Sequence, residues 1–276
     1  MTRTDSRSPA ARSSSPSSHS LWWFGLPAGV LLLLWGAPLL ALLLRGAAPS
    51  VFAYLQDPMV QHALRLSLLT SGATAALAVL CGTPLAYALA RWDFPGRRAV
   101  EALIDLTLVL PPAVAGIALL MAFGRRGLFG PTLGIVGISL PFTVAAVVMA
   151  QLFVAAPFFV RAARLAFESI GPQMEEAAAI LGASPWQQFR FIMLPAARRG
   201  LLAGLALCWT RALSEFGATI LFAGNMPGRT QTMPLAIYLG LERNLDVALA
   251  LSVILLGVSA ILLFALRRFE REPMLA

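Results

Sequence analysis

Residues 21–44 read LWWFGLPAGVLLLLWGAPLLALLL, a run without a single charged side chain. A helix of this length would measure about 36 Å, enough to cross a hydrocarbon core of about 30 Å with some tilt. Arg3, Arg7 and Arg12 precede the run, as in a signal peptide, but the apolar core of a signal peptide has only about 7–15 residues. We therefore expect a retained transmembrane helix at 21–44, preceded by a Ser-rich, disordered cytoplasmic tail at 1–20.

Comparable apolar stretches continue along the chain, at 63–90, 101–123, 137–160, 199–223 and 245–266. Each is close to or above the roughly 20 residues that a spanning helix needs. Of the 276 residues, 58% are hydrophobic and 12% are charged, whereas an ordinary soluble domain has about 25% charged residues. This composition excludes a disordered protein, a disulfide scaffold and a normal water-soluble enzyme. The sequence predicts an all-α integral membrane protein with six transmembrane helices.

Many of these stretches contain proline, namely Pro84, Pro111, Pro112, Pro141 and Pro157. Proline has no N–H to donate, so within lipid it implies a kink whose freed carbonyl is satisfied by a neighbouring helix. The spans are therefore expected to form a packed bundle.

Arginine carries all of the basic charge, since the chain has 21 Arg and no Lys. With the amino terminus in the cytoplasm, the outside loops hold only Arg45, Arg125, Arg126, Arg229 and Arg243. Arg65 and Arg211 lie within spans, and every other arginine falls in an inside segment. Cytoplasmic loops of membrane proteins are enriched in Arg and Lys, so this distribution predicts that both termini are cytoplasmic. The net charge of +8 then reflects topology, and we expect no nucleic-acid partner.

The residues that catalysis requires are scarce. Without lysine the chain has neither a P-loop lysine nor a Schiff-base lysine. Cys81 and Cys208 lie in apolar stretches, where a buried structural thiol is the ordinary interpretation. We expect no catalytic residue, no metal site and no cofactor.

The loop at 161–198, on the predicted cytoplasmic side, has an architecture of its own. Gly171-Pro172 breaks the chain before a short helix, which Gly182 is placed to end. Ser184 and Gln187 have the spacing of a capping box at the start of a second helix. The loop is therefore predicted to contain two short helices joined by a glycine turn, with Leu194-Pro195 preceding the return to the membrane.

The same loop carries a recognisable signature. Glu176-Ala177-Ala178, then Gly182, then Ile192-x-Leu194-Pro195 resembles the EAA motif of ABC importer permeases. The resemblance implies that this loop is a coupling element that docks on a separate ATPase subunit. The residues expected to take part are Glu176, Ala177, Ala178, Gly182, Ala183, Trp186, Ile192, Leu194 and Pro195. The alternative is an ordinary pair of amphipathic helices at the membrane interface.

The resemblance extends over most of residues 60–270. The segments at 211–219 and 223–235 resemble molybdate permeases, and Val114-Ala115-Gly116-Ile117 is similar to the molybdate/tungstate branch. The resemblance implies a type I ABC importer permease that translocates molybdate or tungstate across the bacterial inner membrane. Sulfate permeases share parts of the pattern, so a sulfate or thiosulfate permease is the nearest alternative. A membrane enzyme or a passive channel is more remote.

The resemblance also implies an assembly. Two copies of the chain would pair in the bilayer as a homodimer. Two ATP-binding subunits would power transport, and a periplasmic oxyanion-binding protein would deliver the anion.

Candidate residues for the translocation path or its gate lie in the fifth span: Thr210, Arg211, Ser214, Glu215 and Thr219. Arg211 and Glu215 are four residues apart, so they can pair on one helical face. An ionisable residue at the bilayer centre costs about 2.5–3.5 kcal/mol on insertion scales and needs a partner or a cavity. The pair has two interpretations at this point, a structural ion pair or part of a gate.

Arg229, Thr230 and Thr232 lie in a Gly- and Pro-rich outside loop. Hydroxyls, backbone N–H groups and a guanidinium suit a tetrahedral dianion. Arg229 fits equally well as a docking contact for a binding protein or as a solvated side chain.

Overall fold

The computed structural model describes residues 18–46 and 54–271, and all of their regular structure is helical. The helices are α1 (Ser18–Gly46), α2 (Pro58–Arg91), α3 (Arg97–Val109), α4 (Pro112–Phe123), α5 (Gly130–Ile135), α6 (Val144–Glu168), α7 (Gln173–Ile180), α8 (Pro185–Gln188), a π-helix (Phe189–Met193), α9 (Leu194–Leu213), α10 (Gly217–Phe222), α11 (Met233–Arg243) and α12 (Leu245–Arg271). The predicted all-α class is confirmed. Residues 1–17 of the predicted tail lie outside the described residues, and 18–20 belong to α1.

Five helical segments are long and apolar enough to cross a membrane: 25–46, 58–91, 144–168, 185–213 and 245–265. The chain divides into two units, one ending at Arg45 and one beginning at Gly46. The first unit contains nearly all of α1, whose apolar side chains are exposed along most of its length. The second unit contains the other helices and all of the candidate site residues.

The third predicted span, 101–123, is not one helix. It is divided at Leu110-Pro111 into α3 and the short apolar helix α4. A proline disfavours helical backbone in the residue before it, and Leu110 accordingly has an extended ψ of 127°. The stretch is therefore broken at the two consecutive prolines, where the sequence predicts a kink.

Ion pairs connect α3 to the end of α6. Arg164 lies 2.9 Å from Glu101 and 2.7 Å from Glu168, and Glu101 also lies 3.0 Å from Arg97. The hydrogen bonds that Arg97 donates to Glu101 and Asp93 raise the pKa of Arg97, because both carboxylates favour its charged form. The first half of the broken span is thus attached to α6 by charged side chains.

The fifth predicted span is also interrupted. Helix α9 ends at Leu213, residues 214–216 are not helical, and α10 restarts at Gly217. Helix α10 packs against α4 and α6, where Ala218 and Phe222 are fully buried. The prediction of one helix over 199–223 is therefore wrong at its final third. The interruption places Arg211 and Glu215 at a helix break instead of within a continuous helix.

The centre of the bundle is formed by α2, α6 and α9, which pack closely through small residues. Gly200 and Gly204 of α9 face Ala166 and Ala162 of α6. A Cβ atom on Gly204 would lie 3.0 Å from the Ala162 Cβ, and one on Gly200 would overlap the Ala166 Cβ. Small residues four apart allow membrane helices to approach closely. The G-x-x-x-G pattern of α9 is therefore used within the chain, against α6.

Replacing Gly200 by Ala should lower the melting temperature of the purified protein in detergent, because α9 would have to move away from α6. We expect a loss of about 1–3 kcal/mol, as for other overpacked cores. Gly257→Ala is the matched control, since nothing lies within 4 Å of the added methyl group and alanine is the better helix former. A Gly200→Ala protein that melts at the wild-type temperature would contradict the close packing.

Candidate functional site

The turn after α7 has the geometry that the sequence predicts. Gly182 has a φ of 84°, in the left-handed region. The N–H of Gly182 donates to the carbonyl of Ala179 over 2.9 Å, and the N–H of Ala183 donates to that of Ala178 over 2.9 Å. This pair of bonds is a Schellman motif, which satisfies carbonyls that the end of a helix leaves free. The prediction that Gly182 ends this helix is confirmed.

The second helix of the loop also begins as predicted. Ser184 Oγ accepts from the N–H of Gln187 over 3.4 Å, and Gln187 Oε1 accepts from the N–H of Ser184 over 2.8 Å. The predicted capping box is therefore confirmed. It fixes the start of a helical segment that continues from Pro185 into the bundle.

The return of the loop to the bundle differs from the sequence prediction. The sequence predicts a separate short helix, with Leu194-Pro195 as the boundary before the membrane. Instead α8, the π-helix and α9 form one uninterrupted segment. Within it, the N–H of Leu194 donates to the carbonyl of Phe189, five residues earlier. Because Pro195 has no N–H and its ring would crowd the carbonyl of Phe191, we attribute the local π-helix to the proline.

The tip of the 161–198 loop is apolar and exposed. Ile180 is 86% exposed, Leu181 87% and Trp186 63%. Of the residues expected to contact an ATPase, Glu176, Ala177, Gly182, Trp186 and Pro195 are exposed, Ala183, Ile192 and Leu194 are half-buried, and Ala178 is buried. The accessible part of the predicted surface therefore centres on the glycine turn and Trp186.

The base of this loop contains a charged cluster that the sequence does not predict. Glu175 Oε1 accepts a hydrogen bond of 2.7 Å from the Tyr87 hydroxyl, and Glu175 Oε2 lies 2.8 Å from Arg91 Nε. Arg91 Nη2 also donates to the carbonyl of Ile170 over 2.7 Å. Both charged side chains are mostly buried. No local spacing reveals this cluster, because Tyr87 and Glu175 are 88 residues apart.

The Arg211–Glu215 pair is confirmed, with 2.7 Å between Arg211 Nη1 and Glu215 Oε2. Glu215 is 1% exposed, and its Oε1 accepts from the N–H of Ala218 over 2.8 Å. A carboxylate that accepts from the first turn of a helix stabilises that helix end. Glu215 thus joins the end of α9 to the start of α10.

The other candidate path residues differ in their environments. Thr210 donates to the carbonyl of Ala206 in its own helix, and Ser214, just after the end of α9, donates to the carbonyl of Arg211. Thr219 is fully buried and its hydroxyl has no partner among the described residues. Ser214 is exposed and Thr210 half-buried. None of these hydroxyls contacts another in the described hydrogen bonds.

The outside loop at 224–232 buries its hydroxyls. Thr230 is fully buried; its Oγ1 accepts from the N–H of Met226 over 3.2 Å and donates to the carbonyl of Gly224. Thr232 is 1% exposed, whereas Arg229 is exposed. Arg229 is therefore the one residue of the three predicted here that an approaching anion or protein meets at the surface.

The two cysteines occupy different environments. Cys208 is buried, as expected, but Cys81 is exposed on α2, so the expectation of a buried thiol is wrong there. The face of α2 that packs on α6 bears Ala78 and Gly82 instead. Among the residues that the structure describes, no three His, Cys, Asp or Glu side chains are grouped as metal ligands would be.

Comparison with known proteins decides the family. Residues 78–272 match the family described as "Binding-protein-dependent transport system inner membrane component". The chain belongs to this family. It is therefore a multi-pass protein of the bacterial inner membrane and a transport subunit, not itself an enzyme.

Curated relatives of this inner membrane component cover most of its length. The molybdenum transport system permease protein ModB of Mycobacterium tuberculosis is 44% identical over 239 residues, which are 87% of this chain and 90% of that protein. The sulfate transport system permease protein CysT of Escherichia coli is 36% identical, covering 84% and 86%. The molybdate/tungstate permease protein WtpB of Thermococcus kodakarensis is 40% identical, covering 75% and 79%.

A solved structure shows the same fold. A bacterial ABC transporter involved in the import of alginate has a chain that superposes with a TM-score of 0.74 at 20% identity. The match covers 92% of this inner membrane component and 95% of that chain. The fold is therefore that of an ABC importer permease.

Two substitutions of Glu215 separate its two roles. Glu215→Gln removes the ion pair but keeps an oxygen for the N–H of Ala218, whereas Glu215→Ala removes both. We expect the melting temperature in detergent to fall in the order wild type, Gln, Ala, with about 1 kcal/mol between the two variants, as for other helix caps. Equal melting temperatures of the two variants would show that the cap contributes nothing.

Proposed function

We propose that this chain is the permease subunit of an ABC importer for molybdate or tungstate. The observation that carries the proposal is the 44% identity to ModB over nearly the whole of both proteins. The identity to the sulfate permease CysT is lower, at 36%, over a similar length. The similarity to WtpB supports tungstate as a second substrate of the same site.

Two of the candidate residues are poorly suited to select the transported anion. The Thr230 hydroxyl is buried and its hydrogen bonds are made within the loop, so it is not free to bind a tetrahedral anion. Glu215 carries a negative charge that would repel an anion were it not paired with Arg211. Selection between oxyanions is therefore assigned to a periplasmic binding protein, and Arg229 is proposed as one of its contacts on the permease.

Competition for uptake tests the substrate. Vesicles would contain the permease with its ATPase subunits and binding protein, and radiolabelled molybdate would be supplied outside. Tungstate in tenfold excess should reduce uptake about tenfold, by simple competition for one site, and the same excess of sulfate should leave uptake near its starting value. Equal inhibition by sulfate would favour the sulfate permease, and uptake without ATP would favour a channel.

The proposed assembly is supported by the parts that one chain supplies. Each chain has one set of spanning helices and one 161–198 loop. A translocation path between two subunits, and an ATPase dimer with one docking site on each half, both need two copies. We therefore include a homodimer of this chain and two ATP-binding subunits in the proposal.

The exposed tip of the 161–198 loop is the proposed docking surface for the ATPase. The apolar side chains of Ile180, Leu181 and Trp186 are exposed. A group of exposed apolar side chains of this kind is typical of a contact with a protein or a membrane. The Schellman turn and the capping box hold these side chains on either side of Gly182. When the ATPase dimer binds ATP and closes, it would then push on this rigid turn. The translocation path would switch from being open on one side of the membrane to being open on the other.

Arg211 and Glu215 are proposed as a structural element at the edge of the path. The Ala218 N–H bond to Glu215 favours this role over a mobile gate, because a movement of the Glu215 side chain would also remove the cap of α10. Thr210, Ser214 and Thr219 remain candidates for the wall of the path.

Substitution of Gly182 tests the docking role. Nothing lies within 4 Å of an added Cβ at this position, so a side chain is disfavoured only by the positive φ. Gly182→Val should distort the turn and uncouple ATP hydrolysis from uptake, because the left-handed conformation costs an L-residue about 1–2 kcal/mol and a β-branched one more. Gly182→Asn is the matched control, because asparagine tolerates this conformation.

The measurement is anion transported per ATP hydrolysed in the reconstituted complex. We expect a severalfold fall for Gly182→Val and a value near wild type for Gly182→Asn. Normal coupling in the valine variant would argue against the turn as the docking element.

A further inference from the structure

We infer that Tyr87, Arg91 and Glu175 form a positioning contact that makes helix α7 of the 161–198 loop move together with α2. The inference rests on the proposed function, since it names the bundle helix to which a push on the loop is transmitted. Glu175 precedes the EAA signature by one residue and is not part of it.

Helix α7 has few other attachments to the bundle. It is connected to α6 through the non-helical residues 169–172, and Ala178 is its only buried residue. The Schellman turn joins it to the helical segment that begins at Pro185. In the described hydrogen bonds and ion pairs, Glu175 makes the only side-chain link from α7 to a spanning helix. This carboxylate is therefore the side-chain connection, among the described hydrogen bonds and ion pairs, that holds α7 itself against α2.

Both oxygens of Glu175 are engaged, and by different residues of α2. Tyr87 donates to Oε1 over 2.7 Å, and Arg91 Nε lies 2.8 Å from Oε2. Tyr87 and Arg91 are one helical turn apart on α2, so together they set both the distance and the direction of the carboxylate. A carboxylate held at two points resists rotation as well as separation, which suits a contact that transmits motion.

The two α2 residues also hold the rest of the loop. The Tyr87 ring centroid lies 4.9 Å from that of Phe189 in the π-helix and 5.4 Å from that of Phe167 in α6. Arg91 donates to the carbonyl of Ile170, in the chain that leads into α7. The end of α2 thus contacts the loop at its entry, at α7 and at its exit, although it is not connected to the loop in sequence.

This geometry predicts that a displacement of α7 displaces α2. Without the contact, the loop would still be attached through α6 and α9, and it would still present its apolar tip to an ATPase. Loss of the contact should therefore weaken the transmission of movement while leaving docking intact. That combination distinguishes a positioning role from a role in folding.

The test uses the full permease–ATPase complex and conservative variants. Glu175→Gln keeps the shape of the side chain and removes its charge, and Tyr87→Phe keeps the aromatic packing and removes the hydroxyl. The matched control is Asp105→Asn, which breaks the exposed Arg161–Asp105 pair, 3.4 Å long, between α3 and α6. Exposed pairs of this kind contribute little to stability.

Hydrogen–deuterium exchange of the amides at 173–180 is the first measurement. Glu175→Gln should speed this exchange about tenfold and Tyr87→Phe by less, since hydrogen bonds to charged groups are among the stronger ones. The effect of the double variant on exchange should differ from the sum of the two single effects, because both substitutions act on one contact. The control should exchange like the wild type. Unchanged exchange in Glu175→Gln would overturn the inference.

The second measurement is anion transported per ATP hydrolysed, together with retention of the ATPase subunits. We expect Glu175→Gln to lower the ratio severalfold with the ATPase still bound. A normal ratio would overturn the inference. Loss of the ATPase subunits, or faster exchange throughout α2 and α9, would overturn it as well, because each of these results indicates a contact that only stabilises the fold. If the wild-type complex takes up neither molybdate nor tungstate, the proposed substrate fails, and the exchange measurement decides the contact by itself.

Discussion

The close approach of α9 to α6 is the constraint on which the rest of the structure depends. Glycines at 200 and 204 remove the side chains that would otherwise separate the two helices, and Ala162 and Ala166 complete the contact. Apolar side chains gain little by leaving lipid for protein, so association within the bilayer relies on such close packing. Since α9 is continuous with the second helix of the 161–198 loop, this contact also determines how the loop leaves the bundle.

Five of the six predicted spans correspond to long apolar helices, and these could be predicted from composition and length because the bilayer requires such helices. Where the helices break could not be read from apolar length alone. The run 101–123 is apolar throughout its second half, yet Pro111 and Pro112 divide it, and the run 199–223 is divided without any proline at the break. In the second case the interruption is stabilised by Glu215, which provides the new helix with a cap. Such a break depends on tertiary packing of α10 against α4 and α6, which local sequence does not encode.

In the 161–198 loop, the local structure was predictable and the connection to the bundle was not. Its turn and its capping box follow from Gly182, Ser184 and Gln187, because caps are made by neighbouring residues and have a fixed spacing. Pro195 suggests a helix boundary in the sequence, and that interpretation is wrong. A proline ends a helix unless the neighbouring backbone adjusts to the N–H hydrogen bond that proline cannot make. Here the π-helix makes that adjustment. The glycine turn and the capping box were therefore predictable, whereas the continuity between loop and spanning helix was not.

The buried carboxylate of Glu215 and the mostly buried one of Glu175 show why some contacts of a candidate site can be predicted from the sequence and others cannot. Glu215 pairs with Arg211 four residues before it and with an N–H three residues after it, so helical spacing alone predicts its main partner. Glu175 has the same kind of environment, with one partner on each oxygen, but both partners lie on a distant helix. A local pair can stabilise only the segment that contains it. A carboxylate that joins distant segments makes their positions depend on each other, which is the property that the proposed coupling between the 161–198 loop and α2 requires.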